Sequence, residues 1–124
     1  MNGSRLLVDT NIALYLLAGD DTVREVLSGN HIFISFITEL ELLGYAGFTS
    51  KQLSKVESFL EDVVIIELNE GIKKEVIGIR QAHKMKLPDA IIAGTAKYMD
   101  IPLFSADKGF EKVDELNFLQ YELE

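Results

Sequence analysis

The sequence predicts an α/β fold: one domain built on a mainly parallel sheet of about five strands with helices on both faces. Three observations carry that expectation. Short apolar runs that do not alternate with polar residues suit strands covered on both sides. Between them, apolar residues recur at three- and four-residue spacing, the period of a helix. The 124 residues, 48% hydrophobic and 26% charged, suffice for one core and leave no room for a second.

In chain order, Leu6 to Val8 reads as the first strand, followed by a helix from near Asn11 marked by Ile12, Tyr15 and Leu16. Val23, Val26 and Leu27 mark a second helix, and Ile32 to Ser35 a second strand. Two helical stripes follow, Ile37/Leu40/Gly44 and Leu53/Val56/Leu60, then a strand from Val63 to Glu67. Ile72, Val76, Ile79 and Ala82 sustain the helical period over three turns. Pro88 suits the first position of the next helix, which runs through Ile91, Ile92, Thr95 and Ala96 to Met99. Leu103 to Ser105 is a fourth strand, and Phe118 to Leu123, which does alternate, is expected at the sheet edge. In such sheets ligands bind outside the carboxyl ends of the strands, near the switch point.

Composition narrows the chemistry. With no cysteine there is no disulfide framework, thiolate zinc site or Cys nucleophile. Two histidines, His31 and His83, are too few for a multi-histidine metal site. No apolar run reaches the roughly 18 residues of a membrane span, and the start MNGSRLLVD does not read as a signal peptide. A cytoplasmic protein is expected. The net charge of −8, from 20 acidic and 12 basic residues, argues at first against nucleic acid. The distribution is uneven, however. Residues 73 to 112 hold eight of the basic residues and five of the acids, a local excess of positive charge.

Four carboxylates stand where a parallel sheet would gather them. Asp9 follows the first strand directly, Asp107 follows the fourth, Asp89 lies in the first turn after Pro88, and Glu41 sits one helical turn after Thr38. Acids sharing a small volume cannot all stay ionised without a countercharge, so a cation is implied. Oxygen-only ligands favour a hard ion, Mg²⁺ or Mn²⁺, over zinc. Each acid also has an ordinary reading. Thr38/Glu41 has the spacing of a capping box, as do Thr22/Glu25, Ser54/Glu57 and Ser58/Glu61. Asp89 complements a helix dipole, and Asp107 could cap a short helix around Phe110. Asp9 is harder to dismiss, because an acid buried at a strand end costs several kcal/mol unless paired.

Together these segments resemble the motifs of PIN-domain ribonucleases. Leu7-Val8-Asp9-Thr10-Asn11 is similar to the family's opening motif, and Ile34 through Gly44 to its second, with the acid three residues after Thr. Leu87-Pro88-Asp89-Ala90-Ile91-Ile92-Ala93 resembles the third motif. Pro102 through Phe110 resembles the fourth, with Ser105 in place of the commoner Thr. Gly109 stands where some relatives carry a further Asp, so Asp107 alone supplies the fourth acid. Order and separation match over essentially the whole chain, and the small size is most similar to VapC-type toxins of toxin–antitoxin pairs.

The resemblance implies a single PIN-like domain over residues 1–124 that hydrolyses single-stranded RNA with a metal-activated water. It implies Asp9, Glu41, Asp89 and Asp107 as the catalytic acids. Asp9, Asp89 and Asp107 would ligate Mg²⁺ or Mn²⁺, and Glu41 would either ligate the ion or orient the nucleophile. Asn11 and Ser105 are candidate donors that hold the carboxylates; for Asn11 the alternative is plain N-capping. Arg80, Lys84, Lys86 and Lys108 are candidates to track the RNA backbone. Tyr45 and Phe48 read either as the lining of an exposed groove or as core aromatics. Implied partners are the RNA, a small antitoxin protein and a second copy of the chain, with the apolar helix Ile12 to Leu17 as candidate dimer contact. No membrane partner is expected.

Rival classes fare worse. A phosphoacceptor receiver needs an acidic pair after the first strand and an Asp closing the central one; Asp9-Thr10-Asn11 and Val63 to Leu68 supply neither. A haloacid-dehalogenase-type phosphatase needs Asp-x-Asp at the first position, and a dinucleotide site needs a Gly-rich turn there. The surviving alternative is a non-catalytic PIN-like module that binds RNA or protein with a weakened metal site.

Overall fold

The computed structural model describes residues 3–122. Its elements are β1 (Arg5–Val8), α1 (Thr10–Leu17), α2 (Asp21–Leu27), β2 (His31–Ser35), α3 (Phe36–Gly44) and α4 (Ser50–Asp62), then β3 (Val64–Ile66), α5 (Glu70–Ala82), α6 (Leu87–Met99), β4 (Leu103–Ser105) and β5 (Phe118–Gln120). A 3₁₀ turn, Lys108–Lys112, lies between the last two strands.

All five strands are parallel, in the order β3-β2-β1-β4-β5. The chain winds outward from β1 through β2 to β3, then crosses back to lay β4 and β5 on the other side. The strand order therefore reverses between β1 and β4, the place where α/β sheets open a crevice. Register fixes who meets whom there: Leu7 pairs with Leu103 and Val8 with Phe104.

Two cores flank the sheet. On one face Leu7 and Leu103 pack with Ile72, Val76 and Ile79 of α5 and with Ile91, Ile92 and Ala96 of α6. On the other, Leu6, Val8, Ile34 and Phe104 pack with Ile12, Val23, Leu42, Val56 and Phe59 of the first four helices. Consecutive residues Leu6, Leu7 and Val8 are thus all buried, which is why the run could not alternate. α5 and α6 approach closely at Gly94, where a Cβ would fall 2.7 Å from Val76 Cγ2. The far end of the chain is fastened to the near one. The Tyr121 hydroxyl donates to Asp20 Oδ2 at 2.8 Å, its ring packed against Tyr15 and Phe104.

Several expectations need correction. α1 starts at Thr10 with Asp9 as its N-cap, so Asn11 caps nothing. None of the four Ser/Thr–Glu pairs is a capping box. Ser35 caps α3 and Asp20 caps α2, while Ser54 and Ser58 lie inside α4; the genuine box is Thr49 with Gln52. α3 buries Thr38 and Leu42 and leaves Leu40 and Leu43 exposed, and α4 buries Val56 and Phe59 rather than Leu53. β3 and β5 are shorter than expected, and Leu123 lies outside the described residues. α1 buries Ile12 and Ala13 completely and packs Leu14 to Leu17 against the same core while leaving them partly exposed.

Candidate active site

Asp9 ends β1 and caps α1, so two elements hold it. Its Oδ1 accepts from the Ile12 amide at 2.9 Å, and its Oδ2 accepts from the Ser105 hydroxyl. The β1–β4 register causes the second contact: with Val8 opposite Phe104, the next step along each strand brings Asp9 to Ser105. Ser105 is fully buried and also accepts from the Asp107 amide at 3.0 Å. One hydroxyl thereby ties the first acid to the loop that carries the fourth. Asp107 itself is exposed, with Oδ1 accepting from the Gly109 amide at 2.8 Å. A Cβ at 109 would lie 3.0 Å from that same oxygen, so glycine here lets the carboxylate close its turn.

Glu41 is also exposed, and its Oε1 accepts from Thr10 Oγ1 at 2.6 Å. Asp89, half-buried in the first turn of α6, completes the set. Burial pushes the Asp9 carboxyl above its ordinary value; the Ser105 and Ile12 bonds pull it back, and the charges of Asp107 and Asp89 push it further up. Burial likewise raises Asp89, helped by Asp107 and Glu41 and opposed by Lys86. The four acids therefore feel one another.

Among the described residues the ion pairs are Arg24–Asp21, Lys73–Glu70 and Lys97–Glu75, and none of them includes any of the four acids. Mutually repelling carboxylates without a contacting base are a donor set that suits a hard cation. Among the described residues no three acids enclose a ready-made metal cage, so an ion would draw them closer or reach them through water.

Asp9, Glu41 and Asp89 line a cleft of about 620 Å³ together with Thr10, Asn11, Tyr45, Phe48 and Gln52. Tyr45 and Phe48 meet edge to face, ring centres 4.7 Å apart, and Tyr45 is 59% exposed. Tyr45 is a cleft wall, and Phe48 lines the cleft while also packing against the core beneath it. A second hollow of about 240 Å³ is lined by Asp89, Asp107, Lys84, Lys86 and Lys112, so Asp89 belongs to both. Lys108 lines neither and borders a patch with Gln120 and Tyr121; Arg80 is exposed on α5, outside all three linings. Asn11 stands exposed at the cleft and makes no side-chain hydrogen bond among the described residues, so it steadies no carboxylate. The hydroxyls that do this are Ser105, Thr10 and, behind Thr10, Thr38. Sequence reasoning missed the last two, because their partners lie about 30 residues away and only Thr38's local spacing to Glu41 was visible.

A sheet that reverses its strand order at four acids without a salt bridge among the described residues defines a class, and comparison with known proteins agrees. The PIN-domain family profile matches residues 6–116, and the chain belongs to that family, a family of nucleases. Within it, the chain is similar to one from a toxin–antitoxin complex of Klebsiella pneumoniae, at 30% identity over 95% of this chain and 99% of that one, with a TM-score of 0.79. Its fold is also shared by a chain of VapBC2 from Rickettsia felis bound to a promoter DNA fragment (22% identity, 95% and 99% covered, TM-score 0.83). DNA-bound VapBC from Salmonella typhimurium gives 21% identity, 97% and 98% coverage and a TM-score of 0.81. No curated protein matches the chain by sequence.

Proposed function

We propose that the protein is a metal-dependent endoribonuclease that cuts single-stranded RNA and is restrained by a protein antitoxin. The observation that carries this reading is the set of four acids that repel one another across the β1–β4 switch point, none of them ion-paired among the described residues. Mg²⁺ or Mn²⁺ bound there would activate water and stabilise charge on the attacked phosphate. Asp9, Asp89 and Asp107 would hold it. Asp9 is preset by its two hydrogen bonds, Asp107 by its turn, and Glu41 presents a carboxylate from α3. The exposed Tyr45 ring offers a face on which an unpaired base can stack, which favours a single strand over a duplex. Lys84, Lys86 and Lys112 supply cationic contacts to phosphates beside Asp89 and Asp107.

The antitoxin partner is carried over from the similar complexes, which are toxin–antitoxin assemblies. For self-association we assign the partly exposed Leu14 to Leu17 of α1 and the exposed Leu40 and Leu43 of α3. Among the described residues no helix is long and apolar enough to cross a membrane, and we place the protein in the cytoplasm.

The test is cleavage of an unstructured RNA oligonucleotide with Mg²⁺ or Mn²⁺, with chelator and with Asp9→Asn. Cutting that needs both the ion and Asp9 supports the reading. Wild-type protein that binds no Mn²⁺ by calorimetry and cuts no RNA would falsify it and leave a binding module.

A further inference from the structure

Glu41 differs from Asp9 and Asp107 in having no local anchor. Asp9 and Asp107 cap turns of helix through backbone amides, and Asp89 sits half-buried in a first turn. Glu41 is a long, exposed side chain in mid-helix, and holding it in one geometry costs rotamer entropy. What holds it comes from outside α3. Thr10 Oγ1 lies 2.6 Å from Glu41 Oε1, and a carboxylate only accepts, so the single Thr10 hydroxyl hydrogen is spent there. Thr10 Oγ1 also lies 3.0 Å from Thr38 Oγ1. With its own hydrogen spent, Thr10 must accept in this second bond, and Thr38 donates. The three groups form a one-way chain, Thr38 to Thr10 to Glu41, in which each hydroxyl polarises the next.

Thr38 is completely buried, and among the described residues Thr10 is its only side-chain hydrogen-bond partner. A buried hydroxyl is a cost to folding that valine, of nearly the same shape, would avoid. Its presence in a core layer beside Leu42 has a use only through what it bonds. We propose that Thr38 is a positioning residue: acting through Thr10, it fixes the Glu41 carboxylate relative to Asp9, the residue next to Thr10 in the chain. The bonds span 28 and 31 residues and join the first turn of α1 to α3, so the chain sets the separation of two candidate acids that share no element. The effect on cleavage rests on the nuclease reading; the ordering of Glu41 is a property of the metal-free protein and does not.

The experiment uses that separation. In metal-free protein, ¹³C relaxation of the Glu41 side chain should show an ordered carboxylate in the wild type, a looser one in Thr38→Val and recovery in Thr38→Ser. Thr38→Val should melt at the same temperature or higher. Its kcat on RNA should fall about 10-fold with little change in KM, the scale typical of groups that orient a metal-site ligand. In a Glu41→Gln background the same substitution should add no further loss. An unchanged Glu41 in Thr38→Val, no recovery with Ser, or an equal loss in both backgrounds overturns the proposal. Loosening of Glu41 with undiminished cleavage leaves the positioning standing and removes Glu41 from the reaction. Should Thr38→Val not fold, Thr10→Val breaks the same chain from the half-exposed end.

Discussion

The two hollows that share Asp89 are built oppositely. The larger cleft gathers Asp9, Glu41 and Asp89 against two aromatic rings and has no lysine or arginine in its lining. The smaller one sets Asp89 and Asp107 among Lys84, Lys86 and Lys112, with Lys112 fastened by its Nζ to the Lys84 carbonyl at 2.9 Å. A site of acids alone repels a polyanion, and one of lysines alone has nothing to activate water. Under the proposed function, the two hollows, side by side with one carboxylate in common, would divide cation capture from strand capture. The overall charge of −8 is therefore a poor guide to what the surface around Asp89 can bind.

The comparison can be broken most severely on the acidic side. Asp9→Asn should reduce RNA cleavage at saturating metal by about 1,000-fold or more, the scale of losing a key electrostatic group; residual activity near wild type would dissolve the proposed division. Asp89, shared by both hollows, should behave differently from either neighbour. Asp89→Asn should lower kcat and weaken Mn²⁺ binding, measured by calorimetry, and it should tighten binding of uncleaved RNA by removing a repelling charge.

On the basic side the effects should be smaller and of another kind. Lys84→Ala with Lys86→Ala should raise KM several-fold with kcat little changed. The pair should also flatten the dependence of log affinity on log salt by about one unit for each phosphate left without its lysine. If kcat falls and the salt slope holds, these lysines support the acids rather than the strand.

The smallest effect concerns stability. Asp9 and Asp89 are raised above the ordinary carboxylate value of 3.8, so the folded protein holds protons that the unfolded chain has released. Stability of the metal-free protein should thus fall as pH rises from 3.8 through the raised values, the reverse of a salt-bridged acid. Thermal melts of the metal-free protein should place Asp9→Asn a few degrees above wild type at neutral pH, with the gap closing below pH 3.8. Divalent ions should close it from the other side by stabilising only the wild type.

Much of the fold and of the candidate site's placement was legible because it depends on local pattern. Strand and helix positions followed from apolar spacing; Asp9, Asp89 and Asp107 stood out because each falls at a strand end or a helix start, and Glu41 because it follows Thr38 by one helical turn. What stayed hidden was set by distant partners. Thr38 looked like a helix cap because its spacing to Glu41 is local, whereas its bond to Thr10 is made 28 residues away. Leu40 looked like core because apolar spacing does not say which side of α3 meets the sheet; Leu42 won that place. Asn11 looked like a cap because the helix was expected to start one residue late, and Asp9 had already taken that role.

The placement of β1 has a consequence for how the protein comes into being. β1, the first of these five strands in chain order, lies in the middle of the sheet, and its neighbour β4 begins only at Leu103. Asp9 finds Ser105 across 96 residues, and Asp20 finds Tyr121 across 101. Such pairings must close nearly the whole chain into a loop before they yield any contact energy. A growing chain on the ribosome can therefore form its first helices and β2, and still have no complete acidic centre until Ser105 and Asp107 have emerged. The order of synthesis thus makes Asp9 wait, placed but unpartnered, for the strand that completes its surroundings.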